Sequence, residues 1–335
     1  MTPDYDLTII WAAIILFAVF AYVVMDGFDL GIGILFPAFP AGRERDQAMN
    51  SIAPLWDGNE TWLVLGGGGL LAAFPLAYGV IMTALYPTII AMLLALVFRG
   101  VAFEARWRDP AHRPWWDLAF TVGSFVAAFS QGVALGALLQ GIHVADRAHA
   151  GGWLDWLTPF SLLTGASVVV GYGVLGATWL VWKTDGATQD HAYRLARYFG
   201  VLLLVGIIAV SLATLGLEFD YHKRWLTFPA VLVTAQVPLL TAIIAYAFFR
   251  SLHKRREGWP FLLALALFLL TFVGLAISVF PYVVPRALTI WDAATPEKSQ
   301  AFLLVGAAIL IPVILAYTGW SYWVFRGKVG HEGYH

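Results

Sequence analysis

The sequence predicts an all-α, polytopic membrane protein: about nine transmembrane helices arranged as helix bundles, a single transmembrane domain over residues 1–335. Three observations predict it. Hydrophobic residues make up 60% of the chain and charged residues only 12%, whereas water-soluble domains carry about 25% charged residues. Nine apolar stretches each reach the roughly 20 residues that a helix needs to cross hydrocarbon. Lysine and arginine alternate between the intervening segments, rich on one side and sparse on the other, as cytoplasmic and outer loops do.

The first predicted span covers residues 7–36. It is too long for a signal-peptide core and has no basic region before it, so it reads as a retained helix. The second and third, 51–74 and 76–103, are separated by a tight turn at Phe74, Pro75 and Leu76. Without Pro75 they would merge into one apolar run of about fifty residues, too long for a single crossing. The remaining spans are 115–139, 157–182, 198–217, 225–249, 259–280 and 302–325. Trp115, Trp116, Trp153, Trp156, Trp179, Trp182, Trp320 and Trp323 cluster at span ends, where an interfacial belt of aromatic rings is expected. A weak echo of Phe74-Pro75 at Phe280-Pro281, each near an outer edge, hints at an internal repeat.

Charge fixes the orientation. Arg43, Arg45, Arg99, Arg106, Arg108, Arg113, Lys183, Arg194, Arg197, Arg250, Lys254, Arg255, Arg256, Arg326 and Lys328 fall on one side. Only Arg147, Lys223, Arg224, Arg286 and Lys298 fall on the other. The richer side is the cytoplasm by the positive-inside rule, which puts the N-terminus outside and the C-terminus inside. The basic run at residues 253–256 reads as part of this topology signal.

Several chemistries are excluded. A net charge of −1 offers no basic face to nucleic acid, and zero cysteines exclude disulfides, thiolate metal sites and cysteine nucleophiles. There is no Walker loop, zinc-spaced cluster or nucleophile elbow, and the glycine run at 66–69 lies inside a span. The eight histidines, His112, His143, His149, His191, His222, His253, His331 and His335, all fall in predicted loops, loop margins or the tail. Met25, Met82 and Met92 lie within spans, but a haem here would also need a histidine. Any redox cofactor therefore belongs to a partner.

Against this background, four carboxylates in the first two spans stand out, because each costs about 2.5–3.5 kcal/mol at a helix centre on insertion scales. Asp26 and Asp29 are three residues apart and share a helix face, and Asp57 and Glu60 repeat the spacing. At 1.5 Å per residue, Asp26 lies about 15 Å above the cytoplasmic end of its span and Asp57 roughly 9 Å in from the same side. Antiparallel neighbours would bring all four into one inner-leaflet zone, and flanking glycines would let the helices approach closely. Such acids mark a proton path or an ion site; otherwise they hold helices together. Arg99 and Glu104, at the inner end of the third span, read as an interfacial pair.

The segments 25–33, 50–63 (with Trp56, Asp57, Gly58, Asn59 and Glu60) and 98–104, together with 280–285, 288–293 and 317–323, resemble subunit II of cytochrome bd-type quinol oxidases. The short connection at 218–224 is similar to the cyanide-insensitive branch. The resemblance runs from first span to last. It implies a heterodimer in the bacterial cytoplasmic membrane with a subunit I that carries two b haems, haem d and the quinol site, the complex reducing dioxygen to water with quinol electrons and cytoplasmic protons. It implies that this chain binds no haem, and that Asp57 lies on a proton route; Asp26, Asp29 and Glu60 join that route by depth and spacing, while Arg99, Glu104, Trp56 and Asn59 are structural or interface candidates. A structural quinone and a small single-helix accessory subunit occur in some members. From the residues alone, a secondary transporter or channel using the same carboxylates stays open, as does a purely structural subunit.

Overall fold

The computed structural model describes residues 6–217 and 221–329. The first long helix, α1 (Leu7–Leu35), is capped by Asp6, whose carboxylate accepts from the backbone N–H of Thr8 and Ile9. A short polar helix, α2 (Arg43–Asn50), precedes α3 (Trp56–Ala73). Phe74 then terminates α3, and Pro75 opens α4 (Pro75–Arg108), a position where its missing N–H costs nothing. The predicted tight turn is therefore present. Helix α5 (Arg113–Gln140) leads into an antiparallel ribbon of β1 (Val144–Ala145) and β2 (Ala148–His149). Helices α6 (Pro159–Lys183) and α7 (Gly186–Leu215) follow.

The seventh predicted span is broken into α8 (Tyr221–Leu226), α9 (Val231–Thr234) and α10 (Gln236–His253). Pro229 and Pro238 lie at and just after the breaks, and each removes a backbone donor that an unbroken helix would need. Then come α11 (Trp259–Val279), a second ribbon of β3 (Tyr282–Val284) and β4 (Leu288–Thr289), the one-turn α12 (Ile290–Ala293) and α13 (Glu297–Val324). Of the connection predicted at 218–224, residues 218–220 lie outside the described residues, as do His331 and His335.

Among the described residues eight segments are long and apolar enough to cross a membrane, so this is a membrane protein of the predicted all-α class. The second predicted span is α3. Its 18 residues include Asp57, Asn59, Glu60 and four consecutive glycines, which lower its apolarity below that of the other eight. Several predicted limits shift: α3 starts at Trp56, five residues after its predicted start, and α4 runs to Arg108, five residues past its predicted end. Helix α7 starts at Gly186, twelve residues before the predicted span, and α13 starts at Glu297, five residues before; both carry polar turns beyond the apolar stretch.

Helix α1 lies at the centre of the packing, against α3, α5 and α6, while α5 also packs on α4 and α6, and α6 on α7. The α1–α6 crossing depends on glycine: a Cβ on Gly31 would sit 1.9 Å from the Tyr172 carbonyl oxygen, and one on Gly176 would sit 2.5 Å from the Gly31 carbonyl carbon. Backbones meet there directly, as small residues permit in membrane helices. Beside this crossing, Phe28 stacks on Trp179 at 4.3 Å, with Phe261 and Tyr322 edge-on to it.

At the end of the bundle predicted to be cytoplasmic, Arg106 is fully buried between Asp117 (2.5 Å) and Asp46 (2.7 Å), and Arg45 reaches Asp117 at 2.8 Å. These ion pairs tie α2, α4 and α5 together. At the opposite end, Thr295 donates its backbone N–H to the Ala73 carbonyl at 2.9 Å, joining the α3–α4 turn to the segment after α12. The two Phe-Pro turns noticed in the sequence thus lie at one end of the molecule.

Candidate functional site

Asp26 and Asp29 follow each other on the inward face of α1 and are completely buried. Their partners come from α3 and α4. Asn59, one helical turn after Trp56, donates its side-chain amide to Asp29 at 2.7 Å and to the Met25 carbonyl at 3.3 Å. Glu60, the next residue, points to the α4 side, where its carboxylate accepts from Arg99 at 2.8 Å. The same Arg99 nitrogen, Nη1, lies 3.3 Å from Asp26. Arg99 is 1% exposed, so it bridges α1, α3 and α4 from inside the protein. Trp56 covers it, the guanidinium carbon standing 5.9 Å from the ring centre, and Trp56 in turn stacks on Phe103 at 5.3 Å. Gly100 gives that indole room, since a Cβ there would touch it at 3.4 Å.

Arg99 and Glu104 do not pair, contrary to the sequence expectation. Arg99 turns inward because the carboxylates of α1 and α3 offer it partners in a medium where an unpaired charge is costly. Glu104 is on the outside of α4, 65% exposed and 3.8 Å from Arg108 one turn on.

Asp57 also stands apart. It is exposed on the flank of α3, one turn before Glu60, and has Glu104 and Arg99 as electrostatic neighbours. The bundle therefore brings together Asp26, Asp29, Glu60, Asn59, Arg99 and Trp56, and leaves Asp57 and Glu104 on an adjoining outer surface. Glu60, with its side chain 29% exposed, connects the interior with that surface.

Five residues of the site carry no role in the sequence reading. Tyr322 of α13 donates its hydroxyl to the Asn59 carbonyl oxygen at 2.9 Å, extending the network to the last helix. Tyr22, one helical turn before Asp26, lies beside the Asp26 carboxyl; its hydroxyl accepts from the Gln131 amide at 2.8 Å, and Tyr172 donates to Gln131 at 2.6 Å. Trp62 is 1% exposed with its Nε1 unsatisfied. The i, i+4 spacing of Tyr22 and Asp26 was available as a signal, and so was a lone glutamine inside the fourth span; Tyr172, Trp62 and Tyr322 carry none apart from the tertiary packing.

Asp26 and Glu60 share one guanidinium and Asp29 lies in its field, so their protonation is coupled: a proton on one changes the charge the others meet. Oδ2 of Asp26, Oδ1 of Asp29, and Nε and Nη2 of Arg99 are buried without a hydrogen-bond partner among the described residues. Each such group costs about 1–3 kcal/mol if left unsatisfied, and buried water is the usual remedy in proteins. No group of three or more His, Cys, Asp or Glu suited to a metal ion occurs among the described residues.

Fold and site together define a polytopic helical membrane protein with a coupled carboxyl–guanidinium network buried at the junction of three helices. The family described as cytochrome bd terminal oxidase subunit II matches residues 7–325, and the chain belongs to that family. It is therefore a subunit of an oxidoreductase complex of the respiratory chain, and the transporter or channel reading falls away. The cytochrome bd-I ubiquinol oxidase subunit 2 of Escherichia coli strain K12 is 31% identical over 383 residues, covering 98% of this chain and 97% of the relative. The cytochrome bd ubiquinol oxidase subunit 2 of Bacillus subtilis strain 168 is 29% identical, covering 99% and 98%. The solved structure of the bd oxidase from Geobacillus thermodenitrificans contains a chain with a TM-score of 0.77 and 19% identity, over 96% of this chain and 99% of that one; it shares the fold.

Proposed function

We propose that this chain is the non-haem subunit of a quinol-oxidising bd complex, that it supports the haem-bearing subunit I, and that it supplies cytoplasmic protons for dioxygen reduction. In this reading the chain crosses the bacterial inner membrane nine times, α3 included, with its N-terminus outside and its C-terminus in the cytoplasm.

One observation carries the proton role. A fully buried arginine holds two carboxylates from different helices, and one of these, Glu60, reaches the flank where Asp57 stands. Asp57 lies among side chains that are themselves open and apolar, Val64, Val97, Phe98 and Val101 being 52–73% exposed. A carboxylate on such a face is costly against lipid. The same face covered by a polar contact from subunit I would give Asp57 a partner and the network an outlet. Protons entering from the cytoplasmic side, past Glu104, would pass Asp57 and Glu60 to the partner; Asp26, Asp29 and Arg99 would set the charge that the relay works against.

The two b haems and haem d belong, in this reading, to subunit I, where bound haem reduces dioxygen with electrons from quinol. The residues here fit that division. His112, His143, His149, His191, His222 and His253 occupy loops, short elements or the terminal turns of helices, away from the apolar stretches where an axial ligand to an intramembrane haem would be needed. A structural quinone, a small single-helix accessory subunit and annular lipid are further expected companions.

The test is Asp57→Asn in the assembled complex. Quinol-dependent oxygen uptake should fall at least severalfold while haem absorbance stays at the wild-type level. Full turnover would remove Asp57 from the route, and loss of turnover together with the haems would reduce its role to scaffolding.

A further inference from the structure

The basic run at residues 253–256 is divided by the turn between α10 and α11. Arg255 has a positive φ of 50° and swings toward α7, where it pairs with Asp190 and lies over the Tyr193 ring at 4.6 Å. Lys254 and Arg256 stay behind. With Arg250 of α10 they line a cavity of about 250 Å³ between the ends of α10 and α11, together with Ser251, Trp259 and Leu263.

Three features of this cavity point to one ligand chemistry. Its charge is of a single sign, three cations with no carboxylate in the lining. The one acid of the turn, Glu257, is drawn away to Lys328 (2.8 Å) and Gln189 (3.0 Å). Among the described residues Arg250 has the Tyr246 hydroxyl at 3.4 Å as its side-chain partner and no carboxylate. The cavity also sits at the edge of the apolar region: Trp259, 54% exposed, is a ring of the interfacial type, and below it Tyr246, Ile243 and Leu262 face outward, 51–67% exposed. The volume suits a headgroup, and the outward apolar residues suit chains. Clusters of Lys and Arg between helices at the cytoplasmic face bind anionic headgroups.

We infer that the α10–α11 cleft is a binding site for the phosphate headgroup of an anionic phospholipid of the inner leaflet. Arg250, Lys254 and Arg256 surround the phosphate, the Trp259 indole packs on the glycerol region, and the acyl chains run down the outer faces of α10 and α11. The leaflet assignment rests on the orientation proposed above; the headgroup chemistry does not. Each cation near such a charge contributes about fivefold in affinity.

The test uses the whole purified complex, stripped of lipid in detergent and titrated with phosphatidylglycerol while bound lipid is counted by native mass spectrometry. Wild type should retain phosphatidylglycerol and not phosphatidylcholine. The variant R250Q/K254Q/R256Q, with haem spectrum and melting temperature unchanged, should bind it roughly a hundredfold more weakly, and the single R256Q about fivefold more weakly. Equal retention by wild type and the single variant, or by both lipids, would overturn the site. Displacement of phosphatidylglycerol by millimolar inorganic phosphate would overturn the lipid as its source. Orientation is read separately. The chain has no cysteine, so Lys254→Cys provides its one thiol; an impermeant maleimide should leave it unlabelled in intact spheroplasts, and labelling would move the site to the outer leaflet.

Discussion

Arg99 and Asp26 face each other 3.3 Å apart, 73 residues distant in sequence, and each side chain is at most 1% exposed. Asp26 comes from the middle of α1 and Arg99 from the inner part of α4, so this pair joins two helices that bracket α3. Breaking a buried pair by deleting one partner strands the other, at about 3–5 kcal/mol. Arg99→Gln should therefore lower the melting temperature of the complex and its yield. Arg99→Lys keeps the charge on a shorter side chain whose ammonium must replace Nη1 between Asp26 and Glu60, and should be intermediate. A variant R99Q as stable as wild type would show that the pair contributes little.

At the buried acids, the link from α1 to α13 runs through one amide, apart from the direct hydrogen bonds of Gln300 to Trp11 and Thr8. Asn59 donates to Asp29 and accepts from Tyr322. Tyr322→Phe removes a single hydroxyl and should cost about 1 kcal/mol; Asn59→Leu leaves Asp29 and Tyr322 both unsatisfied and should cost about 1–3 kcal/mol for each. Chemical denaturation of the complex, followed by haem absorbance, separates the two. Equal effects would mean that Asn59 acts on only one of its partners.

Helix spacing gives a steric test. Gly31→Ala places a methyl group 1.9 Å from the Tyr172 carbonyl oxygen, backbone that has no rotamer in which to retreat. Overpacking of this kind costs about 1–3 kcal/mol, and the yield of assembled complex should drop. Gly79→Ala, with nothing within 4 Å of its Cβ, should be neutral. Wild-type yield from G31A would contradict the close α1–α6 crossing.

The C-terminal tail should respond to pH. Hydrogen bonds from Lys328 and Gln189 hold the Glu257 carboxyl below its ordinary value. A depressed folded-state pKa contributes stability above the unfolded value, and that contribution is lost as pH falls through the folded one. The tail clasp should thus be intact at neutral pH and loosen only below the usual carboxylate range. The effect is small, as for other exposed pairs. Hydrogen exchange at residues 325–329, taken as protection relative to the intrinsic rate at each pH, measures it, and Glu257→Gln should show the loosened protection at every pH; wild-type protection that does not change with pH would contradict the clasp.

Much of this architecture was legible in the sequence, for a physical reason: hydrocarbon thickness sets helix length, and Pro75 marks a turn regardless of tertiary context. The breaks on either side of α9 were equally written, in Pro229 and Pro238, but the apolar run around them read as one span. The acid cluster was legible by type and depth. Its geometry was not. A long arginine side chain at the end of a span can reach outward to the interface or inward to a partner, and which it does depends on how α1, α3 and α4 pack. Likewise, three-residue spacing puts Asp57 and Glu60 on one side of α3, yet it does not say that the seam with α4 would pass between them and leave Asp57 outside.

The most direct test of the proton-supply account is proton uptake itself. The fully reduced complex, mixed with oxygen in weakly buffered medium containing a pH-sensitive dye, reports protons taken from solution alongside haem oxidation. Glu60→Gln and Asp57→Asn should slow proton uptake at least tenfold while the oxygen-binding step of the haems keeps its wild-type rate. Wild-type proton uptake in both variants, with the haems intact, would contradict the account.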